Sequence, residues 1–202
     1  MHLHQLKRDL NPKFYEILEK QSLDELRPCQ AKALGKGLLK GKSLLVCSPT
    51  GSGKTLVAEL AAVSTILAGK GKAVYIAPLK SLATEKAKDF RQKYGHLFRI
   101  ALTMGDLDSA DPYLADYDMI ITTSEKLDSL IRHRAVWLSQ VRVMIVDEIH
   151  LLNDPERGPT LEILMTIVRQ LLKGIQIIGL SATIGNPKEL AEWLDAFAPR
   201  LE

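Results

Sequence analysis

Two cysteines, Cys29 and Cys47, are all that 202 residues contain. One pair cannot build the disulfide framework of a small secreted domain, so reduced thiols in a cytoplasmic protein are expected. Long apolar runs are missing as well, since none reaches the ~18 to 20 residues of a membrane-spanning helix. The opening stretch MHLHQLKRDLNPK has basic residues but no apolar segment behind them, so no secretory signal is expected. Internal repeats, low-complexity tracts and linkers are also lacking, so one domain over residues 1–202 is expected. A net charge of +3 is too small to name a partner by itself.

What is present is unevenly distributed. Residues 1–100 hold 18 Lys and Arg against 8 Asp and Glu, and residues 101–202 hold 9 against 16. Solvated helix faces account for such a split, and so does a basic face for phosphates beside an acidic region serving a metal. Hydrophobic content of 46% and charged content of 25% fit a soluble globular protein with a sizeable core.

Six short runs rich in β-branched residues recur, at 43–48, 73–77, 99–103, 118–122, 142–147 and 175–180. Several, such as MIIT and VMIVD, are apolar almost throughout, as strands covered on both faces must be. Helical spacing fills the intervals, for example Leu161, Leu164, Met165, Val168, Leu171 and Leu172. Alternating strand and helix predicts an α/β fold with a mainly parallel central sheet and helices on both faces. Two helical stretches, Pro12–Lys20 and 28–40, precede the first strand. At the far end, PKELAEWLDAF reads as a helix, and Leu201 and Glu202 read equally as native residues or as a cloning remnant.

In open parallel sheets, ligands bind beyond the carboxyl ends of the strands. The stretch SPTGSGKT, residues 48–55, lies at such an end, between an apolar strand and a helical run. Pro49, Thr50, Gly51, Ser52 and Gly53 let the backbone turn tightly and aim N–H groups at an anion. Lys54 would reach the β- and γ-phosphates of a nucleotide, and the Thr55 hydroxyl would bind Mg²⁺. The pattern's first glycine is replaced by Ser48, a departure from the usual GTPase form that leaves the phosphate cradle intact. A second strand, in VMIVDEIH, ends in adjacent acids, which are costly there unless they work. Asp147 would hold the Mg²⁺ shell and Glu148 would polarise the attacking water, a pairing suited to hydrolysis. His150, two residues on, is a candidate for coupling this site to others.

These motifs, PTGSGKT, DEIH and the SAT of 181–183, resemble motifs I, II and III of superfamily 2 DExH-box helicases. LRPCQ (26–30) resembles the glutamine motif, and APLKSLATEK (77–86) resembles motif Ia. MGD (104–106) and TTSEKLDSLIR (122–132) resemble later nucleic-acid-contacting loops. DEIHLL with RGPTLE, and LSATIGNPKELAEWL, look most like the Ski-like branch, particularly archaeal DNA-repair helicases of the Hjm type. The likeness spans about 26–194.

The resemblance implies a three-layer RecA-like domain, with a helical lead-in over 1–40 and the P-loop core over 43–202. It implies ATP and Mg²⁺ as cofactors, with Gln30 reading adenine. It implies that Pro78, Lys80, Ser81, Gly105, Thr123, Ser124 and Lys126 hold one strand's phosphate backbone. His150, Ser181 and Thr183 would couple the nucleotide to that track. The implied partner is single-stranded nucleic acid, DNA ahead of RNA, with RNA open because Ski-like relatives act on both. A second RecA-like lobe, which supplies arginine fingers in the family, is not found in this sequence, so weak hydrolysis by the chain alone is expected. A GTPase switch would need Asn-Lys-x-Asp, and the nearest string is Asn186-Pro-Lys-Glu. An idle nucleotide-binding module is the remaining reading. Trp137 and Trp193 are read as packing residues rather than base-stacking platforms.

Overall fold

A computed structural model describes residues 1–105 and 110–194. Asp106 of the MGD motif and the terminal Leu201 and Glu202 lie outside the described residues. The six strands are β1 (Leu44–Cys47), β2 (Lys72–Ala77), β3 (Ile100–Leu102), β4 (Met119–Thr123), β5 (Val141–Val146) and β6 (Gln176–Ser181). Each boundary falls within one residue of the apolar run that predicts it. The helices are α1 (Pro12–Lys20), α2 (Pro28–Gly35), α3 (Lys54–Leu67), α4 (Lys80–Tyr94), α5 (Ser124–Arg132), α6 (Gly158–Leu171) and α7 (Pro187–Trp193).

All strands pair in parallel, in the order β1-β6-β5-β2-β4-β3. Their alternation divides the core in two. Leu44, Val46, Tyr75, Ile121, Ile145 and Leu180 face one layer with α1 to α4. Leu45, Val74, Ile76, Ile120, Met144 and Ile177 face the other with α5 to α7. Both faces are therefore dry, which is why the strands read as continuous apolar runs. Trp137 is buried in the second layer and the half-buried Trp193 packs against it. Among the described residues no helix is long and apolar enough to cross a membrane.

The lead-in belongs to the same core. Asn11 caps α1 through the Lys13 N–H (3.0 Å), and Phe14 and Leu18 are fully buried against the first layer. Phe14 meets Tyr94 edge-on at 5.7 Å. The expected helix over 28–40 is in fact α2 and a separate 3-10 turn, Leu38–Lys40. Gly37 breaks it by adopting φ +96°, a left-handed conformation that costs other residues more. A smaller departure is Leu171, which the helical spacing places in the core but which is exposed where α6 ends.

Candidate functional site

Because every strand runs the same way, all six carboxyl ends share one edge of the sheet. The loop after β1 leads into α3 at Lys54, where the first turn of a helix offers unpaired N–H groups and a positive dipole end. Gly51 and Gly53 sit at φ +79° and +91°. At Gly53 a Cβ would lie 2.3 Å from Gln30 Nε2, so the position requires glycine for both conformation and space.

The loop is gripped by its own chain. Lys54 Nζ donates to the carbonyls of Ser48 (2.5 Å) and Pro49 (3.1 Å). The Ser48 and Ser52 hydroxyls are 2.6 Å apart, so the serine in place of the usual glycine closes the loop on itself. From α2, Cys29 Sγ donates to Ser52 O (3.1 Å), and Gln30 Nε2 donates to Gly53 O (3.0 Å). Arg27 donates to Gly51 O. Gln30 is buried, and its Oε1 accepts the Arg27 N–H at 2.8 Å. Both ends of its amide are therefore engaged by protein, at the wall of the cleft. Cys29 and Cys47 are free thiols. Burial pushes the Cys47 thiol up, against the opposing pull of the Ser181 hydroxyl and Lys54.

Across the edge, the chain leaves β5 through Asp147 and Glu148. Asp147 Oδ2 accepts the Tyr75 hydroxyl at 2.6 Å, and Oδ1 accepts the Glu148 N–H at 3.0 Å. Glu148 adopts φ +50°, a left-handed conformation that costs a non-glycine residue about 1 to 2 kcal/mol. His150 Nδ1 lies 3.3 Å from Glu148 Oε2, close enough to pair electrostatically but out of line for a hydrogen bond. Lys54, Thr55, Asp147 and Glu148 line one open cleft of about 550 Å³, with Thr50, Gly51, Gly53 and Gln30 around them. One strand, β6, separates the two motifs; its Ser181 hydroxyl is buried between them with no well-formed partner among the described residues, and Thr183 is exposed.

Among the described residues no group of three or more His, Cys, Asp and Glu side chains is arranged to hold a metal. The cleft instead brings the Thr55 hydroxyl and the Asp147 carboxylate together, with Glu148 beside them. That sparse, hard-oxygen set fits Mg²⁺, which keeps waters and takes phosphate oxygens rather than an all-protein cage.

The other half of the edge is formed by the ends of β2, β4 and β3. Lys80, Ser81 and Gly105 are exposed there, and Pro78 is half-buried. Thr123 and Ser124 are mostly covered. Lys126 departs from the expected phosphate contact: it is 1% exposed, with Nζ 3.0 Å from Asp111 Oδ2. Thr103 Oγ1 donates to the same oxygen at 2.8 Å. The helical turn of α5 points this lysine inward, so it ties the ends of β3 and β4 together rather than facing a strand above them. A cavity of about 20 Å³, the size of one water, joins the two halves between Pro78, Ser124, Asp147, Glu148 and Arg157.

The chain is similar to known helicases over most of its length. The family model described as DEAD/DEAH box helicase matches residues 27–190. The chain is 51% identical over 187 residues to the ATP-dependent DNA helicase Hel308 of Pyrococcus horikoshii, covering 93% of this chain and 26% of that protein. It is 53% identical over 191 residues to Hel308 of Methanocaldococcus jannaschii, covering 91% of this chain and 16% of that one. The chain thus spans about a sixth to a quarter of these relatives' length. The crystal structure of the DUF1998 helicase MrfA superposes with a TM-score of 0.78 at 27% identity, over 92% of this chain and 31% of that one.

Proposed function

This chain belongs to the DEAD/DEAH box helicase family, and on that premise we propose that it is the ATP-binding lobe of an ATP-dependent nucleic-acid helicase acting on a single strand, with DNA its substrate. The observation that carries this reading is the meeting of Lys54, Thr55, Asp147 and Glu148 in one cleft at the sheet's carboxyl edge. Lys54 exchanges its loop carbonyls for the β- and γ-phosphates of ATP. Thr55 and Asp147 hold Mg²⁺, which supplies positive charge to the phosphate oxygens when bound. Glu148 accepts the proton of the water that attacks the γ-phosphorus, as the bond to the β-phosphate oxygen breaks. Gln30 braces the loop at the wall of the cleft, and reads adenine only by giving up one of its two amide bonds to protein.

Lys80, Ser81 and Gly105 form the exposed part of the track, with Pro78, Thr123 and Ser124 shaping it. Contacts of this kind hold phosphates without reading bases. Ser181 at the end of β6, with Thr183 and His150, is assigned the coupling of the cleft to the track. DNA is favoured because the similar Hel308 proteins are named DNA helicases. The arginine that completes hydrolysis in such motors, worth ~10³ to 10⁵ in turnover, is assigned to a second RecA-like lobe. Steady-state ATP turnover, measured with single-stranded DNA and with RNA of the same sequence, tests the proposal. Low turnover by this chain alone is expected with either nucleic acid, and in the protein carrying the second lobe a turnover raised by DNA and lost in Glu148→Gln. Equal or greater stimulation by RNA would reassign the substrate.

A further inference from the structure

Tyr75 occupies a position that packing alone does not explain. It lies in the middle of β2, in register with Ile145 of β5, and is fully buried. Its ring meets Phe90 edge-on at 5.9 Å. An apolar ring would satisfy that contact equally well. The hydroxyl, however, reaches the strand's carboxyl edge and donates to Asp147 Oδ2 at 2.6 Å. Asp147 is held at two further points, since its N–H donates to Ile76 O (2.9 Å) and its Oδ1 accepts the Glu148 N–H.

A neutral phenol has one proton to give. The Tyr75 hydroxyl gives that proton to the aspartate that lines the cleft with Thr55. With Oδ2 fixed from below and Oδ1 fixed by the main chain, the carboxylate has one orientation. Its remaining lone pairs are left for the cleft. Groups that orient metal ligands in this way typically contribute 10- to 100-fold in metal affinity.

We propose that Tyr75 is a positioning residue for the Mg²⁺-binding carboxylate: its hydroxyl fixes Asp147 so that the free lone pairs face the nucleotide cleft. This rests on the function proposed above. The test is calorimetric titration of the 202-residue chain with ATP, in Mg²⁺ and in EDTA, for wild type and Tyr75→Phe. The expected result is ATP binding weakened about 10-fold in Mg²⁺ and unchanged in EDTA. Asp147→Asn sets the ceiling of the Mg²⁺-dependent loss, and the double variant should bind no worse than Asp147→Asn alone. If Tyr75→Phe does not fold, replacement of Tyr75 by para-aminophenylalanine keeps a weaker donor and gives a smaller loss, again only in Mg²⁺. Wild-type affinity in both buffers, or an equal loss in both, overturns the proposal and leaves the function standing. A folded wild type that binds ATP in neither buffer overturns both.

Discussion

The two halves of the sheet's carboxyl edge use similar side chains in opposite ways. In the nucleotide half, at the ends of β1, β6 and β5, polar groups converge on an open cleft. Arg27, Cys29, Gln30 and Lys54 all donate to carbonyls of the loop that would hold the phosphates. In the track half, at the ends of β2, β4 and β3, Lys126, Asp111 and Thr103 turn inward and satisfy one another. Polar side chains in the first half shape a binding surface, while those in the second hold two loops in register. The lesson is that a lysine in a matching motif states its chemistry but not its direction. Direction is set by the helix face on which it falls.

Four outcomes sharpen or break this contrast. The largest concerns chemistry in the cleft. Glu148→Gln should lower ATP turnover ~10²- to 10⁴-fold while Mg-ATP still binds, measured by phosphate release and by titration. An equal loss of binding would make Glu148 a ligand rather than a base. Next comes the buried tie. Lys126→Met leaves Asp111 without its ammonium, which should cost about 3 to 5 kcal/mol in a denaturant melt. A variant as stable as wild type would mean that Lys126 is free to work elsewhere.

The loop brace is smaller. Gln30→Ala removes the bonds to Gly53 O and the Arg27 N–H, each worth about 1 kcal/mol. ATP should lose affinity more than GTP if the amide also reads adenine; equal losses would leave Gln30 only a brace. Smallest is Lys80→Ala. On the exposed track it should leave the melting temperature unchanged and lower the log–log salt dependence of single-strand binding by about 0.7. Should the salt slope remain that of wild type, Lys80 does not contact phosphate.

Most of the fold is written in the chain at short range. Apolar runs such as MIIT read as covered strands because they are short, rich in β-branched residues and bounded by turn residues. The phosphate loop and the acid pair are legible for the same reason, because their chemistry needs fixed residues at fixed spacing. What stayed hidden depends on contacts between distant segments. Tyr75 is a lone hydroxyl within AVYIA, but its partner Asp147 lies 72 residues away. The pairing of Lys126 with Asp111 across two strands is equally invisible in TTSEK. Ser48 reads as a departure from the glycine pattern until its hydroxyl is seen against Ser52. The break after α2 was signalled by Gly35 and Gly37, which helical spacing alone passes over.

On the function proposed, the groups that bind Mg-ATP lie within these 202 residues, and the arginine that completes hydrolysis does not. Competition titration of the chain with Mg-ATP against Mg-GTP tests this most directly, with Lys54→Ala as control. Saturable, one-to-one ATP binding that GTP displaces poorly and that Lys54→Ala loses is expected. A folded chain that binds neither nucleotide, or that exchanges ATP for GTP without preference, would contradict it.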